Sequence, residues 1–223
     1  MTGIKETFTL SLSAILLTIA MTATAQDSLP PDVRADTLSR LTPAKREDLD
    51  EYGKSVWDRV LGPDNTGPFY GPTGFYFHMP RVADGMDLIN NYLRYESVIG
   101  RGLIEVAICV LAREFDSQYE WASHAPIALD EGVPQEVIDV IAWNRPVDGL
   151  APEYSLVIRY GREIFNDHKL SAETWAEAVS LFGQQGALEI GAIMADYAMA
   201  AVILHAVDQH IPPERTARMP VLE

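Results

Sequence analysis

Residues 101 to 133 read RGLIEVAICVLAREFDSQYEWASHAPIALDEGV, which is the pattern of two helices with a break between them. From Arg101 to Glu114 the chain is nearly all apolar, with LIEVAICVLA at its centre, and a helix that is hydrophobic on every side belongs inside a core. Ile99-Gly100 marks the break before it. After Asp116 the pattern restarts. Ser117-x-x-Glu120 fits a capping box, which would begin a new helix at Ser117. On that helix Ser117, Glu120 and His124 stand three and four residues apart, so their side chains share one side within two turns. Had the chain run on as one straight helix, Glu105 and His124 would be about 28 Å apart along the axis. A turn near Asp116 would instead fold His124 back toward Glu105. The same residues also admit a plainer reading, in which Ser117 and Glu120 only cap the helix and His124 is a satisfied, partly buried histidine. A His124 buried away from any cavity and bonded only to backbone would favour that reading.

Working outward, almost every long segment after Thr42 carries helical punctuation, and no run alternates with period two. LTPAKREDLDEYGKSVWDRVLG (residues 41 to 62) predicts an amphipathic helix with Thr42 as its cap and Pro43 at its first position, Leu49, Tyr52, Val56 and Val60 on one face, and Gly62 as its end. Residues 62 to 80, GPDNTGPFYGPTGFYFHMP, hold too many glycines and prolines for a regular helix. So many aromatic residues in a loop suit either a packed surface loop or a pocket wall. A helix is predicted from about Ala83 to Glu96, others open at Pro134 and Pro152, and Ser171 caps a further one with Leu170 before it as a staple residue. Ala187 to Val207 has membrane-spanning length, but Glu189, Asp196 and His205 would be costly in lipid, and its alanines and glycines suit close helix packing. It is read as a buried core helix that ends before Pro212-Pro213.

The first 25 residues read as a secretory signal peptide. Lys5 precedes the apolar run FTLSLSAILLTIA, and the segment closes on Ala23-Thr24-Ala25, the small-x-small form that signal peptidases accept. The expected location is therefore exported, in a bacterial periplasm. Cleavage removes Lys5 and Glu6 together, so the mature chain keeps the net charge of -15. Nucleic acid and anionic membrane surfaces are poor partners for that charge. The organisation that follows is signal peptide 1–25, N-terminal extension 26–41, one helical domain 42–210 and an irregular C-terminal tail 211–223. Cys109 is the only cysteine, so no intramolecular disulfide forms and the domain relies on packing.

Residues 101 to 133 resemble the carboxymuconolactone decarboxylase and AhpD-like superfamily. Its bacterial members carry an apolar helix with an early Glu, then a Tyr-Glu-Trp-x-x-His segment and an A…GV turn. Residues 67 to 95, GPFYGPTGFYFHMPRVADGMDLINNYLRY, are similar to its Gly-Pro-aromatic loop and the helix that follows. Residues 171 to 207, SAETWAEAVSLFGQQGALEIGAIMADYAMAAVILHAV, are similar to its last two helices. The resemblance implies an all-α, AhpD-like single-domain fold of roughly seven to nine helices, and a homo-oligomer.

The peroxidase branch of that superfamily carries Glu-x11-Cys-x2-Cys-x3-His. This chain keeps the frame as Glu105, Ser117, Glu120 and His124, with both thiol positions changed. A serine hydroxyl or a carboxylate cannot replace a thiolate as a redox nucleophile. Cys109 lies one turn after Glu105 and is read as a buried apolar-helix cysteine, or as one facing the same space. The retained Glu-x3-His resembles the lactone-decarboxylating branch instead. Loss of carbon dioxide from a lactone acid leaves an enolate-like electron pair that must be protonated, and an imidazole supplies protons near neutral pH. The expectation is an acid/base enzyme without a cofactor or metal, decarboxylase-like, acting on a small carboxylated or lactone-like molecule. His124 is the candidate general acid/base, Glu120 orients it or tunes its pKa, and Glu105 completes a proton relay. Ser117, Tyr119, Trp121 and His78 are the candidate substrate contacts. Peroxide or antioxidant chemistry and a non-catalytic binding protein are the alternatives.

Overall fold

The computed structural model of the chain describes residues 29–222; the expected signal peptide lies outside the described residues. Within them the chain forms eight α-helices and no strand, with one isolated bridge between Arg34 and Ser39. The helices are α1 Glu51–Val60, α2 Pro72–Tyr76, α3 Pro80–Tyr95, α4 Arg101–Glu114, α5 Gln118–Asp130, α6 Gln135–Ala142, α7 Pro152–Arg162 and α8 Ala172–Ala206. A π-helical turn, Glu163–Asp167, follows α7.

α4 is the axis of the fold. Every residue from Ile104 to Arg113 is buried, as its unbroken apolar run requires, and it packs against α5, α7, α8 and α6. Gly161 lets α7 come close: a Cβ there would lie 2.5 Å from Val110 Cγ1 and 2.9 Å from Met194 Cε. α8 is long and apolar enough to cross a membrane by length and composition, yet it lies in the core, with Ile190, Ile193, Met194 and Leu204 almost wholly buried. Its polar residue Glu189 is satisfied there, accepting from Tyr92 Oη at 2.5 Å, Ser97 Oγ at 2.6 Å and the Val98 N–H at 2.9 Å. Gly183 departs from helical geometry at φ 70° and ψ 174°. α8 is therefore kinked where the sequence pattern separates two helices. Ser171 caps it as expected, accepting from Thr174 N at 3.1 Å.

Three local expectations are corrected. α1 does not begin after Thr42, because Asp50 is its cap and accepts from Gly53 N at 2.7 Å. A carboxylate there also meets the positive end of the helix dipole, which a threonine hydroxyl does not, and Arg46–Asp48 makes only a single 3-10 turn. The aromatic segment contains one short helix, α2, entered through Gly71 at φ 59°. α3 starts at Pro80 rather than near Ala83, since a proline at the first position sacrifices no helical hydrogen bond.

The turn between α4 and α5 forms where expected but by other means. No capping box forms, because neither the Ser117 hydroxyl nor Glu120 Oε1 has a hydrogen-bond partner. Instead Asp116 adopts a left-handed conformation at φ 50°. The Ser117 N–H reaches the Ala112 carbonyl at 2.8 Å and the Asp116 N–H reaches that of Arg113 at 3.2 Å. This is a Schellman ending with aspartate where glycine is usual, and the Arg113 guanidinium pairs with the Asp116 carboxylate.

The flanking segments set apart in the sequence reading are packed onto the helical body. Gln209, just past α8, donates to the carbonyls of Thr37 and Leu38 at 3.1 Å each, and its Oε1 accepts from Gly71 N at 3.0 Å. The tail lacks regular structure beyond a turn, but Met219 is buried in the main core. Gln118 and Met219 exchange two hydrogen bonds, at 2.7 and 3.0 Å, and Arg113 donates to the Pro220 carbonyl at 2.7 Å.

Candidate active site

Folding α5 back along α4 closes the long sequence gap between Glu105 and His124 to a contact. His124 Nδ1 lies 2.6 Å from Glu105 Oε2. Glu105 is completely buried, and its other oxygen takes Arg94 Nη2 at 3.0 Å and Arg101 Nη2 at 3.1 Å. Burial alone would raise the pKa of Glu105, but the hydrogen bond from His124 and the charge and hydrogen bond of Arg94 outweigh that and hold it below the usual carboxylate range. An ionised carboxylate only accepts, so Nδ1 carries the proton and Nε2 is the nitrogen that exchanges protons. Burial lowers the His124 pKa against the upward pull of Glu105, so the ring is neutral at physiological pH. The His124 ring lies nearly perpendicular to that of Tyr197 of α8, with centroids 4.9 Å apart.

On the other side of the ring, His124 Nε2 is 3.5 Å from Glu120 Oε2. Glu120 is 1% exposed. Burial pushes its carboxyl up to about 8, with Asp196 and Glu105 adding to the rise and Arg215 and Arg94 opposing it. At neutral pH the carboxyl therefore keeps its proton beside a neutral imidazole. Glu105, His124 and Glu120 form a line with an ionised base at one end, a movable proton at the other and the imidazole between them. Glu120 and His124 lie on the wall of a cavity of about 930 Å³, while Glu105 stands behind them in the core.

The aromatic loop is a wall of this cavity, through Tyr70, Tyr76 and Phe77, and Tyr119 stands on the same wall. Gly71 leaves the room Tyr119 occupies, since a side chain there would run into the phenol ring. The other three candidate substrate contacts lie elsewhere. Trp121 points into the main core, because one position on from Glu120 turns it about 100° around α5, away from the cavity. Ser117 is 1% exposed at the buried α4–α5 turn. His78 is exposed, its Nε2 3.0 Å from the Thr42 carbonyl.

Several cavity residues were not found from the sequence. Asp196 is bonded by Asn90 Nδ2 at 2.9 Å, and burial raises its pKa. Arg94 of α3 comes from a helix whose surface pattern does not distinguish it. Arg215 arrives from the tail, where no periodicity marks any residue. Asp196 did have a signal, as an acid inside the most apolar helix. Among the described residues no group of three or more His, Cys, Asp or Glu is placed to hold a metal ion.

Among solved structures, the chain is similar to the alkylhydroperoxidase AhpD core of an uncharacterized peroxidase-related protein from Ralstonia eutropha JMP134. The TM-score is 0.64 over 79% of this chain and 94% of that one, at 14% identity. The fold is that of the AhpD core. At this identity the likeness is one of fold, which bears out the all-α architecture. No protein-family model and no curated protein matches the chain. Ser117 lies in the buried turn and Glu120 on the cavity wall. Cys109 is fully buried in α4, and burial raises its thiol pKa.

Proposed function

We propose that the protein is an acid/base enzyme that moves protons on a small carboxylated or lactone-like molecule, by decarboxylation or a related step. The observation that carries this reading is the line of Glu105, His124 and Glu120 ending at the cavity. In a decarboxylation, the bond from the reacting carbon to the carboxylate breaks and carbon dioxide leaves. The electron pair stays on the substrate as an enolate. The Glu120–His124 pair delivers a proton to that carbon and regains one from solvent, while Glu105 holds the ring orientation and tautomer. Dithiol turnover is not favoured, since the sole cysteine is buried away from the cavity with its thiol protonated.

A screen of lactone acids and unsaturated carboxylic acids, following carbon dioxide release and deuterium uptake from heavy water, tests the reading. His124→Ala is expected to lower turnover at least about a hundredfold, the usual scale for a lost general acid/base. Equal turnover by the two proteins, or thiol-dependent peroxide turnover by the parent, would sink it.

The self-association implied by the family resemblance has a candidate surface. Leu88 is 73% and Leu188 is 63% exposed, and with Ile89 and Tyr92 they line one shallow apolar groove between α3 and α8. Apolar area of this kind commonly marks protein contacts. The double change Leu88→Glu and Leu188→Glu is expected to convert a sedimenting oligomer to monomer while leaving thermal unfolding cooperative. A parent protein that sediments as a monomer would contradict this.

A further inference from the structure

The chain carries a large excess of acid, and most of its arginines at the core are committed to carboxylates. Of the two arginines on the cavity wall, Arg94 is taken up by Glu105. The contacts of Arg215 are neutral: Nη1 donates to Ser123 Oγ at 2.6 Å, and the guanidinium lies 4.8 Å above the Tyr119 ring. Among the described residues no carboxylate pairs with it. An acidic protein that leaves one cavity cation unpaired has kept its charge for something else.

The tail holds this guanidinium in place. Met219 is anchored in the core, Gln118 clasps its backbone, and the Arg215 N–H closes a turn onto the Pro212 carbonyl at 3.0 Å. Arg215 thus sits on a short bridge fixed at both ends. Its charge is felt at Glu120 and His124. A second observation points to a ligand: Glu120, almost wholly buried, has Oε1 without any hydrogen-bond partner on the wall of the same cavity. The wall of one cavity thus carries both a cation and an unsatisfied carboxyl oxygen.

We propose that Arg215 is the anion anchor of the cavity, gripping a carboxylate that the reaction retains while Glu120 and His124 face the reacting part of the same molecule. This rests on the proposed acid/base role of Glu120 and His124. A single guanidinium matches one carboxylate in a two-point hydrogen-bonded pair. A phosphate dianion would need more cations than this wall provides, and Glu214, the neighbour of Arg215, is on the same wall. The carboxylate held by Arg215 is not one that leaves, because pairing with a guanidinium stabilises the carboxylate and opposes its loss.

Calorimetric titration of the mature protein with benzoate, cyclohexanecarboxylate and a five-membered lactone carboxylate, each beside its primary amide, tests the anchor. The acids are expected to bind at least about tenfold more tightly than the amides, as charge-assisted bonds in a partly dry site require. Arg215→Gln is expected to abolish that preference, Arg215→Lys to keep part of it, and His124→Ala to keep all of it. Melting curves of each variant verify folding, and should Arg215→Gln fail to fold, Arg215→Lys and the parent's acid-to-amide ratio carry the comparison. Equal binding of acids and amides, binding of neither, or a preference that survives in folded Arg215→Gln overturns the proposal. Because binding is read without turnover, loss of the preference in Arg215→Gln supports the anchor even if His124 proves dispensable for catalysis.

Discussion

Glu120→Gln is expected to stabilise the protein at pH 9, relative to its effect at pH 4, by on the order of 3–5 kcal/mol. Burial moves this carboxyl from an ordinary 4.5 to about 8 in the folded chain. A carboxyl whose folded pKa is raised contributes its full stability below the unfolded value, where both states are protonated. That contribution is lost as the pH rises from about 4.5 and is gone above about 8, where folding must either desolvate a charge or hold a proton that the solvent would remove. Gln resembles the protonated form at every pH and has nothing to lose. Urea denaturation of the two proteins from pH 4 to 9 measures the difference, and a gap that stays constant across that range would show that Glu120 is not desolvated. In the proposed reaction the same titration removes the donated proton, so parent turnover should fall above pH 8.

Glu105→Leu is expected to destabilise the protein by about 3–5 kcal/mol, the scale for removing one partner of a buried ion pair. Leucine fits the volume, but it leaves His124 Nδ1–H and the Arg94 and Arg101 guanidinium groups facing a carboxylate that is gone. For a domain of this size the melting temperature should drop by roughly 10 °C. A loss under about 1 kcal/mol would mean that the arginines find solvent and the cluster is not structural. The pH dependence of Glu105 runs opposite to that of Glu120. Its folded pKa is depressed, so its contribution is present above the unfolded value and is lost as the pH falls into the acid range. One residue limits the alkaline side and the other the acid side.

The reading of residues 101 to 133 was right about the helices and the turn but wrong about the device that makes the turn. Helix α4 was evident because an all-apolar run has one place to go. Spacing alone could not separate a capping box from a Schellman ending, since the outcome depends on whether Ser117 reaches a backbone donor or is buried in the turn. Trp121 was misplaced for a related reason: motif spacing marks positions on a helix, but which of them faces the cavity and which the core is decided by how α5 packs. Arg94 and Arg215 were missed because long-range ion pairs and tail docking have no local pattern.

Composition and periodicity established an all-α chain with a buried central helix, a helix start near Ser117 and a glutamate and a histidine one turn apart, because these follow from contacts within a few residues along the chain. The meeting of Glu105 with His124, the raised pKa of Glu120, the cavity and the unpaired Arg215 depend on contacts between residues far apart in sequence. Burial and charge act through space, so groups with ordinary chemistry in the chain acquire shifted pKa values only when the helices and the tail close around them.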